Sequence, residues 1–228
     1  MVLRRSGAPA PPSHLRSSVV RDDPFDTLAA PWRTVFDEAW ASFQAGNFGI
    51  GAALVDPADG TIVTTGRNRV AQRVPEPGLL SGNMTAHAEM NAFAVLRRFN
   101  ADGLHLYTTL EPCLMCAATA MQLKVAHVHF AAADEFYRGM DQLWPSFHVT
   151  AERQPNTTGP LDGGLARLGR LLPMVFTLRH FPGRAAEQRA RAEHPELAAT
   201  IDRLLDDDEF GEVVRSGSVV EAMRILEL

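Results

Sequence analysis

A mixed β-sheet covered by helices on both faces is the fold class this sequence predicts, and three observations carry the prediction. Short β-rich runs alternate with helical periodicity between Pro31 and Ala131. The first two runs are joined by a tight reversal, whereas the later ones are separated by helical stretches, as parallel βαβ units require. The chain has 228 residues and 46% hydrophobic content, enough for one substantial core.

The elements follow in chain order. Residues 1–24 mix Pro, Ser, Ala and Arg without periodicity and read as a flexible arm. From Pro31 to Gln44, apolar Trp32, Val35, Phe36, Ala39, Trp40 and Phe43 recur at threes and fours, giving an amphipathic helix closed near Gly46. Ile50 to Val55 and Thr61 to Thr65 are β-rich, and the Asp56-Pro57-Ala58-Asp59-Gly60 segment between them favours a hairpin. A Pro- and Gly-rich loop leads to Thr85, an N-cap candidate. The helix after it is expected to bury Met90, Phe93 and Leu96 and to end in Arg97 and Arg98. Leu104 to Leu110 is a strand, Pro112 breaks it, and Cys113 to Leu123 is a second helix. Val125 to Ala131 is another strand. Beyond Gly159, helices are expected over Leu161 to Leu172, Ala185 to Leu205 and Ser218 to Leu228, with a strand over Met174 to Leu178. The expected organisation is an arm (1–24), a main domain (25–180) and a helical acidic extension (181–228).

Composition excludes several function classes. No stretch approaches the ~20 apolar residues of a membrane span, and the N-terminus lacks the apolar centre of a secretory signal, so a cytoplasmic location is expected. The only cysteines, Cys113 and Cys116, are three apart and cannot staple distant segments. The net charge of −5 resides in the tail, where eleven acids face six arginines from Arg184 onward. With a single lysine, Lys124, the chain offers no phosphate-neutralising field, so no nucleic-acid partner is expected.

The decisive pattern is Thr85-Ala86-His87-Ala88-Glu89 followed by Thr108-Thr109-Leu110-Glu111-Pro112-Cys113-Leu114-Met115-Cys116. Each part opens an expected helix. Two helix starts converging on one point offer an imidazole and two thiolates to Zn²⁺ and leave a fourth position of the tetrahedron open, as catalysis requires. Both positive helix ends favour the thiolate form. Glu89, two positions from His87, projects near the metal without being an obvious ligand and is expected to shuttle the proton of an activated water. The H-x-E…P-C-x-x-C arrangement is an established signature of zinc deaminases.

On these residues the chain resembles the cytidine deaminase superfamily, and within it the branch of guanine deaminases and tRNA adenosine deaminases. Thr-Ala-His-Ala-Glu at 85–89 and Thr-Leu-Glu-Pro-Cys-Leu-Met-Cys at 109–116 carry the resemblance, which covers roughly residues 31–150. It implies a three-layer αβα sandwich with a mixed central sheet, a homodimer, and a base pocket between the hairpin and the metal. Carried over by position, it implies substrate contacts from Ile50, Asn68 and Ala88, and proton movement by Asp134 or Glu135. The acidic tail has no counterpart in the family, and the arginine-rich C-terminal helix of a tRNA editor is missing.

Simpler readings compete for single residues. A lone Cys-x-x-Cys also suits a redox pair, and it gains specificity only with the upstream His-Ala-Glu and the Glu-Pro prefix. An Asn after a strand commonly just turns the chain, and acids in a loop are commonly solvated. His127 and His129 share a strand face, where packing or hydrogen bonding is the usual role. Phe136 and Trp144 suit either a pocket wall or the core. The expected function is hydrolytic deamination of a small purine-like base or nucleoside with Zn²⁺ as cofactor. The rivals are tRNA adenosine deamination and a non-catalytic zinc module whose tail recruits a protein.

Overall fold

A computed structural model describes residues 23–26, 28–137, 139, 142 and 144–228. The arm expected over 1–24 therefore lies, apart from residues 23 and 24, outside the described residues. Pro31 in the first turn starts α1 (Ala30–Gln44), whose Val35, Phe36 and Ala39 are fully buried. Strands β1 (Gly51–Val55) and β2 (Ile62–Arg67) form the expected antiparallel hairpin. Strand β1 also pairs antiparallel with β3 (His105–Leu110), which runs parallel to β4 (His127–Ala132). A short β5 (Asn156–Thr158) completes the order β2-β1-β3-β4-β5. The sheet is mixed, as the sequence implies.

Every residue of β1 is buried because both faces of the sheet are covered. Ala53 and Val55 join the cluster built with α1 and α5 (Gly163–His180). Their alternates Ala52 and Leu54 join the opposite cluster, with Ala88, Ala92 and Phe93 of α2 (Ala88–Ala94) and Ala120 of α3 (Leu114–Gln122). The three layers follow from this alternation. Two glycines set their spacing: a Cβ on Gly51 would stand 2.0 Å from the Val35 carbonyl oxygen of α1, and one on Gly66 would stand 2.3 Å from the Ala88 carbonyl oxygen of α2.

The structure corrects several expectations. Helix α2 is capped by His87, not Thr85, whose hydroxyl instead pairs with Asn83. It ends at Ala94, so Arg97 and Arg98 lie beyond it; the Ala101 N–H bonds the Leu123 carbonyl and draws the chain back toward the sheet. The apolar run Met174 to Leu178 belongs to α5 rather than to a strand. A short run buried on all sides carries no period that separates the two. Ala185 to Leu205 is two helices, α6 (Ala185–Glu193) and α7 (Pro195–Leu205), because Pro195 excludes helical geometry at His194 (φ −134°, ψ 63°). Helices α4 (His148–Arg153) and α8 (Asp208–Ser216), like the exposed β5, have no counterpart among the expected elements.

The chain closes with α9 (Val219–Ile225), entered through a capping box between Ser218 and Glu221. The tail helices pack onto the main core. Ile201, Phe210, Val219 and Met223 are buried in the same cluster as α1 and α5, and the Trp40 indole donates to the Gly217 carbonyl at 2.8 Å. Among the described residues, no helix is long and apolar enough to cross a membrane.

Candidate active site

Parallel β3 and β4 end side by side, and both deliver their following residues to one place. The Glu111 N–H donates to the Ala132 carbonyl, and the Glu111 carboxylate accepts the Asp134 N–H at 3.1 Å, so the two strand exits are tied together. Cys113 occupies the N-cap of α3 and His87 the N-cap of α2, and the two helix starts meet across the end of the sheet. Neither cap uses a side-chain hydrogen bond to its own helix, which leaves both side chains free to face each other.

The result is a compact triangle. His87 Nδ1 stands 3.5 Å from Cys113 Sγ and 3.6 Å from Cys116 Sγ, and the two sulfurs are 3.6 Å apart. Zinc bonds of ~2.3 Å to sulfur and ~2.0 Å to nitrogen at tetrahedral angles require donors about 3.5–3.8 Å apart, so the residues present fit the ion. Among the described residues no other group of three His, Cys, Asp or Glu brings its ligand atoms within 4.8 Å.

Electrostatics follow from burial and crowding. A hydrogen bond from Cys116, supported by one from His87, lowers the Cys113 thiol to about 4. Cys116, which holds the shared proton beside the Cys113 and Glu89 charges, is raised. Burial alone would push His87 down, but the Cys113 hydrogen bond and the Glu89 charge leave it raised. The Glu89 carboxyl, only 3% exposed, is pushed up to about 7 by burial, with the Cys113 charge adding to the effect. Asp134 is raised to about 6, again chiefly by burial and despite the hydrogen bond it accepts from the Phe136 N–H. In the metal-free protein a buried carboxyl is thus held near neutrality beside three potential metal ligands, the kind of perturbed group that marks functional sites.

Above the triangle lies a cavity of about 390 Å³ with predominantly apolar walls, within the size range of small-molecule sites. Ile50, Asn68, His87, Glu89, Cys113, Asp134 and Glu135 all line it. Cys116 sits beneath, fully buried. Ala88 is also fully buried and does not line the cavity. Asn68 is 1% exposed, and its Oδ1 accepts the Val70 N–H at 3.1 Å, the local turn bond that an Asn after a strand commonly makes. Glu135 lies within 3.9 Å of Arg170 in an ion pair, whereas Asp134 is held on the Cys113 side by Glu111.

Phe136 lines the cavity, whereas Trp144 is buried against a separate hollow beside Pro112 and Phe130. His127 and His129 lie away from the cavity near the start of β4, stacked with centroids 4.1 Å apart; His129 Nε2 is 3.2 Å from His105 Nδ1. They pack and hydrogen-bond. Sequence reasoning missed Phe48 and Phe181 as walls and, above all, the α6 residues Ala186, Arg189, Ala190 and Glu193 that also line the cavity. The only local signal for the latter was the three-and-four spacing of Ala186, Arg189, Ala190 and Glu193.

Comparison with known proteins agrees with this geometry. Residues 30–132 match the family described as the cytidine and deoxycytidylate deaminase zinc-binding region. A tRNA-specific adenosine deaminase from Aquifex aeolicus is 35% identical over 107 residues, covering 45% of this chain and 64% of that protein. One from Streptococcus pyogenes serotype M1 is 29% identical over 128 residues, covering 56% of this chain and 70% of its own. The chain thus spans a little under two thirds of the Aquifex protein's length. Among solved structures, a mutant of NE0047 in complex with 8-azaguanine superimposes with a TM-score of 0.51 at 21% identity, over 67% of this chain and 87% of that one. At that identity the likeness concerns the fold.

Proposed function

Taking as premise that residues 30–132 form a cytidine and deoxycytidylate deaminase family domain, within the cytidine deaminase superfamily, we propose that the protein hydrolytically removes an exocyclic amino group from a small purine-like ring, guanine or a related amino-heterocycle, giving the oxo compound and ammonia. The observation that carries this reading is the His87–Cys113–Cys116 triangle with the Glu89 carboxylate 3.4 Å from Cys116, set at the floor of a cavity of about 390 Å³.

His87, Cys113 and Cys116 hold zinc, and a zinc ion bound there supplies Lewis acidity that makes a water molecule nucleophilic at neutral pH. The chain's own groups do the rest. Glu89 takes one proton from the attacking water and carries it to the ring nitrogen beside the amino-bearing carbon, then takes the second proton from the hydroxyl now on that carbon and passes it to the amine, which leaves as ammonia as the C–N bond breaks and the C=O bond forms. Ile50 packs on the ring and the Asn68 amide nitrogen donates to its edge. Asp134 is the better placed of the two acids after β4 to assist the leaving group, because Glu135 is engaged with Arg170. The homodimer implied by the resemblance belongs to this proposal as well.

Ammonia release from guanine, guanosine, adenine and adenosine by the zinc-loaded protein tests the reading, with Glu89→Ala as control. Activity on one ring and its loss in the variant support it; full activity of the variant would remove the mechanism. The second reading, tRNA adenosine deamination, is favoured by the names of the Aquifex and Streptococcus relatives. It predicts steeply salt-dependent binding of an anticodon stem-loop, against a tail that is net acidic.

A further inference from the structure

The cavity is not closed by the family domain alone. Part of its wall comes from the tail, through Ala186, Arg189, Ala190 and Glu193, which occupy one face of α6 at i, i+3, i+4 and i+7. Resting on the deaminase reading above, we propose that α6 is the specificity element of the site: it admits a free base or nucleoside and refuses a base still joined to a polynucleotide.

Three features of the wall support this. Helix α6 is fixed rather than loose, although it has no buried residue of its own. Arg191 binds Glu187 at 2.8 Å and grips Asp202 of α7 with two nitrogens at 2.8 and 3.0 Å, and α7 is anchored in the core through Ala198 and Ile201. A second contact joins two lining residues, where the Arg189 guanidinium lies 4.7 Å from the centre of the Phe136 ring. This bridges the tail to the segment following β4.

The wall also has the wrong charge for a polymer. A base presented by RNA or DNA needs an exit for two flanking phosphodiesters and cations to meet them. On the cavity face of α6 the one cation, Arg189, is engaged with Phe136, and Glu193 is an acid. The two alanines, by contrast, make a flat, small-residue surface against which a sugar or the far edge of a ring can rest. A monomer meets the two alanines there, whereas a strand would bring its phosphates against the acid Glu193.

The test uses the full chain loaded with zinc, together with Ala190→Trp, which fills the outer cavity, and Arg189→Ala, an exposed change that cannot empty the core. Rates of ammonia release are measured for guanine, guanosine, adenine and adenosine and for a stem-loop RNA bearing an unpaired adenosine. The wild-type protein is expected to act on a monomer at least about a hundredfold better, in kcat/KM, than on the RNA. Ala190→Trp should raise the nucleoside KM about tenfold or more while the free-base KM moves about threefold or less, and Arg189→Ala should raise KM for both with kcat unchanged. RNA turned over as well as any monomer, or an unaltered nucleoside KM in both variants, would overturn the proposal. Failure of the deaminase reading shows itself separately, as no ammonia from any of the substrates. Calorimetric binding of the same ligands then decides the wall: RNA binding tighter than the monomers overturns it, and monomer binding weakened by Ala190→Trp upholds it.

Discussion

Oε2 of Glu89 stands 3.4 Å from Sγ of Cys116, which is itself 3.6 Å from Nδ1 of His87, so one helix start brings both a metal ligand and a carboxylate to the same sulfur. His87 does so from the N-cap, where its backbone is extended, and Glu89 from the first turn. The two-residue offset thus separates binding from proton transfer without separating the groups in space.

That separation predicts unlike outcomes for two substitutions. Glu89→Gln keeps the shape and leaves the donor triangle intact, so zinc content should stay near one per chain while kcat falls by about 10²-fold or more. Cys116→Ser removes a soft donor, and zinc should be lost along with activity. Metal analysis paired with an ammonia assay reads both. Loss of zinc from the Glu89 variant would show that the carboxylate is a ligand.

In the metal-free protein the cysteines should differ sharply. Cys113 is lowered to about 4 by its hydrogen bond from Cys116 and lines the cavity, whereas Cys116 is raised and fully buried. At pH 6 Cys113 is therefore the thiolate, and iodoacetamide should label it well before Cys116, with zinc protecting both. Peptide mapping by mass spectrometry decides; equal labelling would refute the ordering.

Much of this site is legible in the sequence because its ligands are local: His87-Ala88-Glu89 and Cys113 to Cys116 each lie within one helical turn, and each follows a strand or loop that Pro, Gly or Thr punctuates clearly. Asn68 and Ile50 are legible only by resemblance. The Phe136–Arg189 contact is not legible, since it joins a loop to a helix more than fifty positions away and neither residue belongs to a motif. The strand expected at Met174 to Leu178 fails for a related reason. Buried between the sheet and the tail helices, that segment shows no polar face, and periodicity is informative only where one face meets water.

Asn91 ties the catalytic helix to its surroundings. Fully buried, it accepts the Leu80 N–H at 2.8 Å and donates to the Arg67 and Leu80 carbonyls at 3.1 and 3.2 Å. Asn91→Ala strands these backbone groups and should destabilise the protein by about 2–3 kcal/mol, lowering Tm by about 4–12 °C for a chain of this size. Calorimetry or circular dichroism measures it. A drop under about 1 °C would mean that the loop around Leu80 relaxes to find other partners.

Asp134 provides a stability test with a definite sign. Burial raises its carboxyl from an ordinary ~3.9 to about 6, the Phe136 N–H opposing, with the Cys113 and Glu111 charges adding. The folded state therefore holds this proton more tightly than the unfolded chain does. Its contribution to stability is fully present below about pH 4 and is lost as pH rises through about 6. A two-unit difference corresponds to about 3 kcal/mol, which partial solvent contact reduces to about 1–2 kcal/mol. Asp134→Asn keeps the acceptor for the Phe136 N–H but cannot ionise, so the variant should match the metal-free wild type near pH 4 and exceed its Tm by several degrees above pH 6.5. Glu89, raised to about 7, gives a fall of the same sign at higher pH that should persist in both proteins. A Tm difference that stays constant from pH 4 to 7 would show that Asp134 is ionised in the folded protein throughout, and with it would go the case for Asp134 as a proton carrier.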